Sequence, residues 1–568
     1  MEKKITITIN GKKIKCSPDQ VVWKVAFDNG IEIPGLCGHP DFPPKANCRV
    51  CVVEVKGEDK LQTSCSLKPE NGMVILTDTE RVRRSRNLNL ELLFAEHVER
   101  CPTCVWNTNC KLLKYAEKYK IEVRRFSDRK AKRKTYKFAN AVEIDGTQCI
   151  DCRNCVDACS KLQKINYLEI KGKGINQEIA PINSRDVDCI YCGQCALHCP
   201  VDAAQEKNDW EEVKNLLENP DDKILVAMFA PSIRVSIGEE FGLPYGQVVT
   251  GQLVSALKNL GFNNVFDVIF GADITTVVEA EELIERVANK GKLPMITSCC
   301  PGWVKYVEFY HPELIPNLTT ARSPHIHLAG ALKTYWANKS GLDPKKIVTV
   351  SIMPCTAKKF ESQRKELKIN WNLPVDYVLT TREFAYLLKK KKIDLGKLKP
   401  SQADNPAGNS ASAGSIYGAS GGVMESALRT AASLICKGDK VCDNRIDFKE
   451  ARGMEGIKEA KVKIGGYELR IAVVNGIGNI KPILEKINDY DYIEVMACPG
   501  GCIGGGGQPI PTTPAIRKLR AEALYGIDKK APMRKAHENE GVVEILRWLK
   551  AQGKLHSQVL HTEYIKRS

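Results

Sequence analysis

Cys149-Ile150-Asp151-Cys152-Arg153-Asn154-Cys155-Val156-Asp157-Ala158-Cys159 and, forty residues on, Cys189-Ile190-Tyr191-Cys192-Gly193-Gln194-Cys195-Ala196-Leu197-His198-Cys199-Pro200 share one cysteine spacing. Three thiols two residues apart, with a fourth after three more, form the ligand run of paired [4Fe–4S] clusters. In that pattern the last cysteine of each run serves the other cluster. The spacing assigns one cube to Cys149, Cys152, Cys155 and Cys199, and a second to Cys189, Cys192, Cys195 and Cys159. Zinc, which also uses paired C-x2-C hooks, is the alternative, but two interlocked runs of four fit it poorly. Ser160 stands where such a run usually carries proline.

Outward from this centre, 568 residues give room for three or four domains at about 150 residues each. A content of 43% hydrophobic and 27% charged residues is that of a globular protein. No window approaches the roughly 18 to 20 apolar residues of a membrane span. The start alternates like a strand and carries no signal core, so the chain reads as cytoplasmic. Its 23 cysteines then stay reduced and serve as metal ligands or catalysts rather than as a disulfide framework.

Ile5–Ile9 and Lys12–Cys16 alternate as strands, Asp19–Asn29 is helical, and Val50–Val55 is a further strand. Between and after them, Cys37-x10-Cys48-x2-Cys51-x13-Cys65 suits a loop wrapping a [2Fe–2S] cluster on a β-grasp sheet. His97-x3-Cys101-x2-Cys104-x5-Cys110 joins one imidazole to three thiolates and reads as a further [4Fe–4S] site. A zinc site is the alternative for each of these two motifs. Cys16, Cys436 and Cys442 stand alone and read as buried or incidental thiols.

Three later segments carry the other cysteines. They are Thr297-Ser298-Cys299-Cys300-Pro301-Gly302-Trp303, Met353-Pro354-Cys355-Thr356-Ala357-Lys358-Lys359-Phe360-Glu361, and Glu494-Val495-Met496-Ala497-Cys498-Pro499-Gly500-Gly501-Cys502 with Ile503–Pro509. With the cluster motifs and the tail Leu560-His561-Thr562-Glu563-Tyr564, they resemble the [FeFe]-hydrogenases, in monomeric clostridial style, over nearly the whole chain. The resulting fold is a multidomain α+β and α/β chain of four modules. These are a β-grasp [2Fe–2S] domain (1–80), a small helical His/Cys cluster domain (81–138), a two-[4Fe–4S] ferredoxin domain (139–209) and a large α/β H-cluster domain (210–568).

The resemblance implies reversible reduction of protons to H2, with one [2Fe–2S] cluster, three accessory [4Fe–4S] clusters and an H-cluster. The last is a cube joined to a diiron unit bearing CO, CN⁻ and azadithiolate ligands. Carried over by position, Cys300, Cys355, Cys498 and Cys502 hold the cube, and Cys502 bridges to the diiron unit. Lys358 and the pair Pro231-Ser232 match residues that hold the cyanides, while Met353 and Met496 match pocket linings. The implied proton path is Arg286, Glu282, Thr319, Glu279 and Cys299, with Glu279, Glu282 and Arg286 on one helical face. Three positions depart from the family. Thr319 replaces serine, His325 after Pro324 replaces glutamine, and Tyr417 replaces phenylalanine. A histidine brings an imidazole able to titrate near neutrality, so 325 and 417 are expected to shift the pH optimum, catalytic bias or inhibitor sensitivity.

A net charge of +16 invites nucleic acid, yet nothing resembles a base-reading motif. Residues 111–137 hold twelve Lys or Arg against Glu117, Glu122 and Asp128, which suits docking of an acidic carrier such as ferredoxin or flavodoxin. No membrane partner is implied, and a monomer served by hydrogenase maturation proteins is expected. The rival readings are a subunit of a larger NADH-linked or bifurcating complex and a non-catalytic iron–sulfur carrier. Gly504–Gly507 lacks the Gly-Lys-Ser/Thr of a phosphate loop and reads as close backbone approach to a cluster. Leu225–Phe229, Asn264–Phe270, Ile347–Ile352 and Ile493–Met496 are expected as strands of one buried sheet, Trp210–Glu218 as the junction before it, and Pro400–Ser415 as irregular.

Overall fold

The computed structural model describes residues 4–102, 104, 107, 110–407, 413–436 and 447–567. It begins with an antiparallel hairpin, Ile5–Ile9 against Lys12–Cys16, in which Ile5, Ile7 and Ile9 face inward and the threonines between them do not. Ile5–Ile9 also runs parallel to Val74–Leu76. That strand pairs with Val52–Val55, and Val52–Val55 with Gln62–Thr63. The result is a five-stranded β-grasp sheet carrying the helix Val22–Asp28. The strand starts at Val52 rather than Val50 because residues up to Cys51 belong to the thiol-bearing loop, and the helix starts at Val22 rather than Asp19 because Ser17 to Gln20 form a turn.

The next helix, Glu80–Ala95, is capped by Thr79, whose Oγ1 accepts from the Val82 N–H at 3.2 Å. Its buried Arg86 donates to the carbonyls of Val50, Val52 and Thr77 and so ties helix to sheet. In the duplicated segment the short helices Asn154–Asp157 and Gln194–Leu197 each follow a left-handed residue, Arg153 and Gly193. Where Ser160 replaces proline, the chain continues as one wide helical turn, Ala158–Leu162, and the serine hydroxyl donates to the Val156 carbonyl.

Among the described residues the carboxyl-terminal body holds two four-stranded sheets, not the single one expected. The first runs Asn264–Asp267, Ile224–Phe229, Ile347–Met353, Tyr377–Thr380, all parallel. The second runs Met295–Ile296, Tyr492–Met496, Tyr467–Asn475, all parallel, closed by antiparallel Ile457–Ile464. Ile493–Met496 thus lies in a different sheet from the other three runs. Asn264–Phe270 is half strand and half helix: Asp267 caps the helix Val268–Ala288 by accepting from the Ile269 N–H. A continuous apolar run does not distinguish a buried strand from a buried helix.

Trp210–Glu218 is a helix of this body, with the Trp210 ring edge-on to Tyr386 at 4.9 Å. Of Pro400–Ser415, residues 408–412 lie outside the described residues, and Ala413–Ser415 begin a buried 3-10 turn reaching Gly418. Cys436 is disulfide-bonded rather than a free thiol, and Cys442 lies outside the described residues. No helix among the described residues is long and apolar enough to cross a membrane.

Candidate active site

Strand ends from both sheets position the signature cysteines. Cys299 and Cys300 follow Met295–Ile296, and Cys300 caps the helix Pro301–Tyr310, with proline at its first turn. Cys355 sits between Ile347–Met353 and the helix Ala357–Ser362. Cys498 follows Tyr492–Met496, and Cys502 lies in the turn Gly501–Gly504. Carboxyl ends of parallel strands are where α/β folds gather ligands. Here all five thiols line one cavity of about 70 Å³. Pro231, Ser232, Met353, Lys358 and Met496 line it too, as do Pro324, His325 and Tyr417.

The donor set fits a thiolate-bound iron cluster with anionic ligands. The Ser232 hydroxyl is fully buried and has no hydrogen-bond partner in the protein, as a donor awaiting a bound group would. Lys358 Nζ is held at the cavity by the Cys299 carbonyl at 3.1 Å and by Glu361 at 2.7 Å. Glycine is needed where the wall is thin. A Cβ at Gly505 would stand 2.3 Å from the Pro354 carbonyl oxygen.

Glu361 organises this wall although its place in the second signature gives no sign of it. Its Oε2 accepts from Lys358, from Ser323 at 3.0 Å and from His325 Nε2 at 2.6 Å. Burial alone would raise it, but Lys358 and His325 hold its carboxyl down at about 2. Because a carboxylate only accepts, His325 Nε2 carries the proton and Nδ1 accepts from the Ser351 hydroxyl at 3.2 Å. Burial and the nearby Lys358 ammonium hold His325 down at about 4. The imidazole is therefore neutral at physiological pH, contrary to the expectation that it titrates near neutrality.

The outer members of the expected proton path are joined directly. Glu282 pairs with Arg286 through Oε1, and its Oε2 accepts from Thr319 at 2.8 Å and from the N–H and hydroxyl of Thr320, each at 2.9 Å. One turn earlier Glu279 is fully buried, and burial pushes its carboxyl up to about 8. Its hydrogen bond goes to Tyr492 at 2.6 Å, not to Thr319, and Tyr492 is a neighbour the sequence did not suggest. Burial raises the Cys299 thiol and the charge of Glu279 raises it further. Tyr417 adds a hydroxyl bonded to Thr276 at 2.9 Å. Glu494, also unforeseen, accepts the Gly421 and Met424 N–H groups at 2.6 and 2.8 Å, fixing the glycine turn behind Tyr417.

In the amino-terminal modules, Cys37 contacts Cys48 and Cys65 through its thiol, and Cys51 contacts Cys65. Cys199 lies within electrostatic reach of Cys149, Cys152 and Cys155, and Cys159 of Cys189, Cys192 and Cys195. The Cys101 sulfur is 3.7 Å from the carbonyl oxygen of buried His97, and Cys104 is 3.7 Å from Asp202. The second run presses against the cavity wall. Thr356 donates to the Tyr191 carbonyl at 2.7 Å, Gln194 to Gly504 at 2.9 Å, and Cys498 Sγ lies 3.9 Å from the Cys192 carbonyl.

Comparison with known proteins gives a consistent picture. Residues 223–506 match the family described as iron only hydrogenase large subunit, C-terminal domain, and 514–567 match the iron hydrogenase small subunit. Residues 2–80, 86–125 and 148–203 match a 2Fe-2S cluster binding domain, the NADH-ubiquinone oxidoreductase-G iron-sulfur binding region and a 4Fe-4S dicluster domain. The chain is 39% identical over 585 residues to an NADP-reducing hydrogenase subunit of Solidesulfovibrio fructosivorans, covering 99% of both. It is also 39% identical over 584 residues to iron hydrogenase 1 of Clostridium pasteurianum, covering 99% of this chain and all of that one. Among solved structures, an [FeFe]-hydrogenase of Chlamydomonas reinhardtii matches 63% of this chain and 98% of its own, at 36% identity and a TM-score of 0.55.

Proposed function

The chain belongs to the [FeFe]-hydrogenases, and from that premise we propose which of its residues carry the chemistry and what supplies its electrons. Its reaction interconverts protons, electrons and H2 at an H-cluster served by accessory iron–sulfur clusters. Cys300, Cys355, Cys498 and Cys502, which line one cavity, would hold the H-cluster. When bound, that group supplies the open iron site, the adjacent electron reservoir and the amine base of the reaction. Lys358 and Ser232 present donors to its anionic ligands, and the orphaned Ser232 hydroxyl is the observation that carries this reading.

Four further clusters take the remaining ligand sets. One [2Fe–2S] cluster uses Cys37, Cys48, Cys51 and Cys65, and one [4Fe–4S] cluster uses His97, Cys101, Cys104 and Cys110. Two interlocked cubes use Cys149, Cys152, Cys155, Cys199 and Cys189, Cys192, Cys195, Cys159. The modules span 1–80, 81–138, 139–209 and 210–568, supported by the family matches within each. Protons travel from Arg286 and Glu282 through Thr319 to Glu279 and then Cys299. Glu279, held up to about 8, is a protonated carboxyl at neutral pH, and supply through it declines as the pH rises past that value.

Electrons come from a ferredoxin or flavodoxin docking near residues 111–137, where Lys114, Lys120, Lys132, Lys134 and Lys137 are exposed. Part of the basic run is spent internally: Arg129 and Lys130 pair with Glu96, and Arg133 with Asp151. All ligand sets lie within one chain, which supports a monomer loaded by maturation proteins. A second reading, a subunit of an NADP-linked assembly, is favoured by the Solidesulfovibrio relative. The decisive experiment is anaerobic infrared spectroscopy of the matured protein with an H2 assay. CO and CN⁻ bands with H2 evolution from reduced ferredoxin support the leading reading. Bands with evolution only when partner chains and NADPH are added support the second, and no bands after competent maturation overturn both.

A further inference from the structure

Glu279 stands in the middle of the proposed path, and a residue outside that path determines how it holds its proton. Its Oε1 accepts from the Tyr492 hydroxyl at 2.6 Å, whereas Oε2 has no hydrogen-bond partner in the protein. Both side chains are fully buried, so bulk solvent does not compete for this contact. A neutral carboxyl has one oxygen that donates and one that accepts. With a phenol pointing at Oε1, the acid proton belongs on Oε2. Tyr492 opens a strand paired on both sides, with Met295 and with Ile471, so its ring leaves from a fixed backbone.

The other groups around Glu279 do not reproduce this contact. Glu282 and Arg286 lie farther along the same helix and engage one another. Glu494 is engaged by the N–H groups of the glycine turn, one on each oxygen. Tyr417 faces the site from that turn, but the Thr276 hydroxyl is committed to the Ala272 carbonyl at 2.8 Å, so the Tyr417 proton goes to Thr276. Cys299 completes the surroundings from the loop before Pro301. We propose that Tyr492 is a positioning residue of the proton path: its hydroxyl pins Oε1 of Glu279 and leaves the acid proton on Oε2, the oxygen free to exchange it. This rests on Glu279 being a path member.

The test uses matured full-length enzyme and Tyr492→Phe, which keeps the ring and removes one oxygen. The Glu279 carboxylic C=O band is identified in the infrared by its loss in Glu279→Gln. In Tyr492→Phe that band moves to higher frequency, because the carbonyl oxygen loses its donor. H2 evolution falls about 10-fold with the carrier KM unchanged. The alkaline limb of the pH–rate curve moves up by about 1 pH unit, since the ionised carboxylate loses a hydrogen bond that favoured it. A purely structural role moves neither the band nor the limb. An unmoved band, or no protonated Glu279 band in the wild type, overturns the proposal. A moved band together with full activity in Glu279→Gln leaves the proton placement standing and refutes the path.

Discussion

Before Trp210, cysteines take the place of core side chains; after it, the cysteines of the three signatures ring the edge of a main core built without them. Cys37, Cys48, Cys149, Cys152 and Cys155 are members of one buried cluster with Val50, Leu90 and Phe138. The main core of the catalytic body is built instead on Phe229, Phe266, Val350, Leu379 and Phe384, and among the described residues it includes no cysteine. One region is shaped by its metal; the other is shaped by its sheets and then presents a cavity to the metal. The difference is physical. A module of some sixty residues buries too little apolar surface to fold comfortably without a cross-link or metal, whereas a body of two sheets closes on its own.

The largest effect that probes this contrast is on turnover. Cys299→Ser should lower H2 evolution by about 100-fold or more, since it removes the proposed last group of the proton path. The CO and CN⁻ bands and the reduction of the accessory clusters, read by electron paramagnetic resonance, should be unchanged. Loss of those bands would mean that Cys299 shapes the cavity rather than serving it. Next in size is the response to iron removal. Chelation under reducing conditions should erase hydrogen-exchange protection across residues 1–209, because metal binding there is folding energy. The strands Ile224–Phe229 and Ile347–Met353 should stay protected. If both regions lose protection together, the contrast between them is broken.

A smaller effect is expected at the seam. Gly506 and Gly193 let the ferredoxin module touch the cavity wall. A Cβ on Gly506 would stand 2.3 Å from the Cys192 carbonyl oxygen, and one on Gly193 2.4 Å from Thr356 Oγ1. Gly506→Ala should cost about 1–3 kcal/mol through overpacking. It should slow reoxidation of the reduced accessory clusters by protons while leaving both cluster inventories intact. An unchanged reoxidation rate would show that electrons do not cross there.

The same contrast explains what the sequence disclosed. Ligand spacing is local, so the motifs around Cys149 and Cys189 could be read directly, and the strand Ile5–Ile9 alternates because one face meets water. The central strands of the catalytic body, Ile224–Phe229, Ile347–Met353 and Tyr492–Met496, are buried on both faces and lose that alternation. Asn264–Phe270 therefore looked uniform although Asp267 ends the strand and caps a helix, and Ile493–Met496 gave no hint of a second sheet. The cavity residues were legible through family resemblance alone. Their supports were not: apart from the i,i+3 pair of Lys358 with Glu361, Glu361, Tyr492 and Glu494 act across 36, 213 and 70 or more residues of chain, which no local pattern encodes. His325 shows the limit most plainly, since its type suggested titration near neutrality and its surroundings hold it neutral.

The smallest effect concerns the surface of the metal-shaped region. The proposed docking through 111–137 would use the lysines that the fold leaves outside, so Lys132→Glu and Lys134→Glu should each weaken carrier binding by about 0.2–1 kcal/mol, a change of a few-fold at most in the ferredoxin KM. Lys130→Gln should behave differently. Lys130 is buried against Glu96 at 2.6 Å and donates to the Cys149 carbonyl beside a cluster ligand. Its loss leaves buried Glu96 to Arg129 alone and the Cys149 carbonyl without its donor, and should destabilise the module without a salt-dependent change in KM. Measuring KM against ionic strength separates the two cases, because attraction between exposed charges fades with added salt. A KM that ignores ionic strength in the wild type would remove docking from this face and leave the basic run as packing for the cluster beneath it.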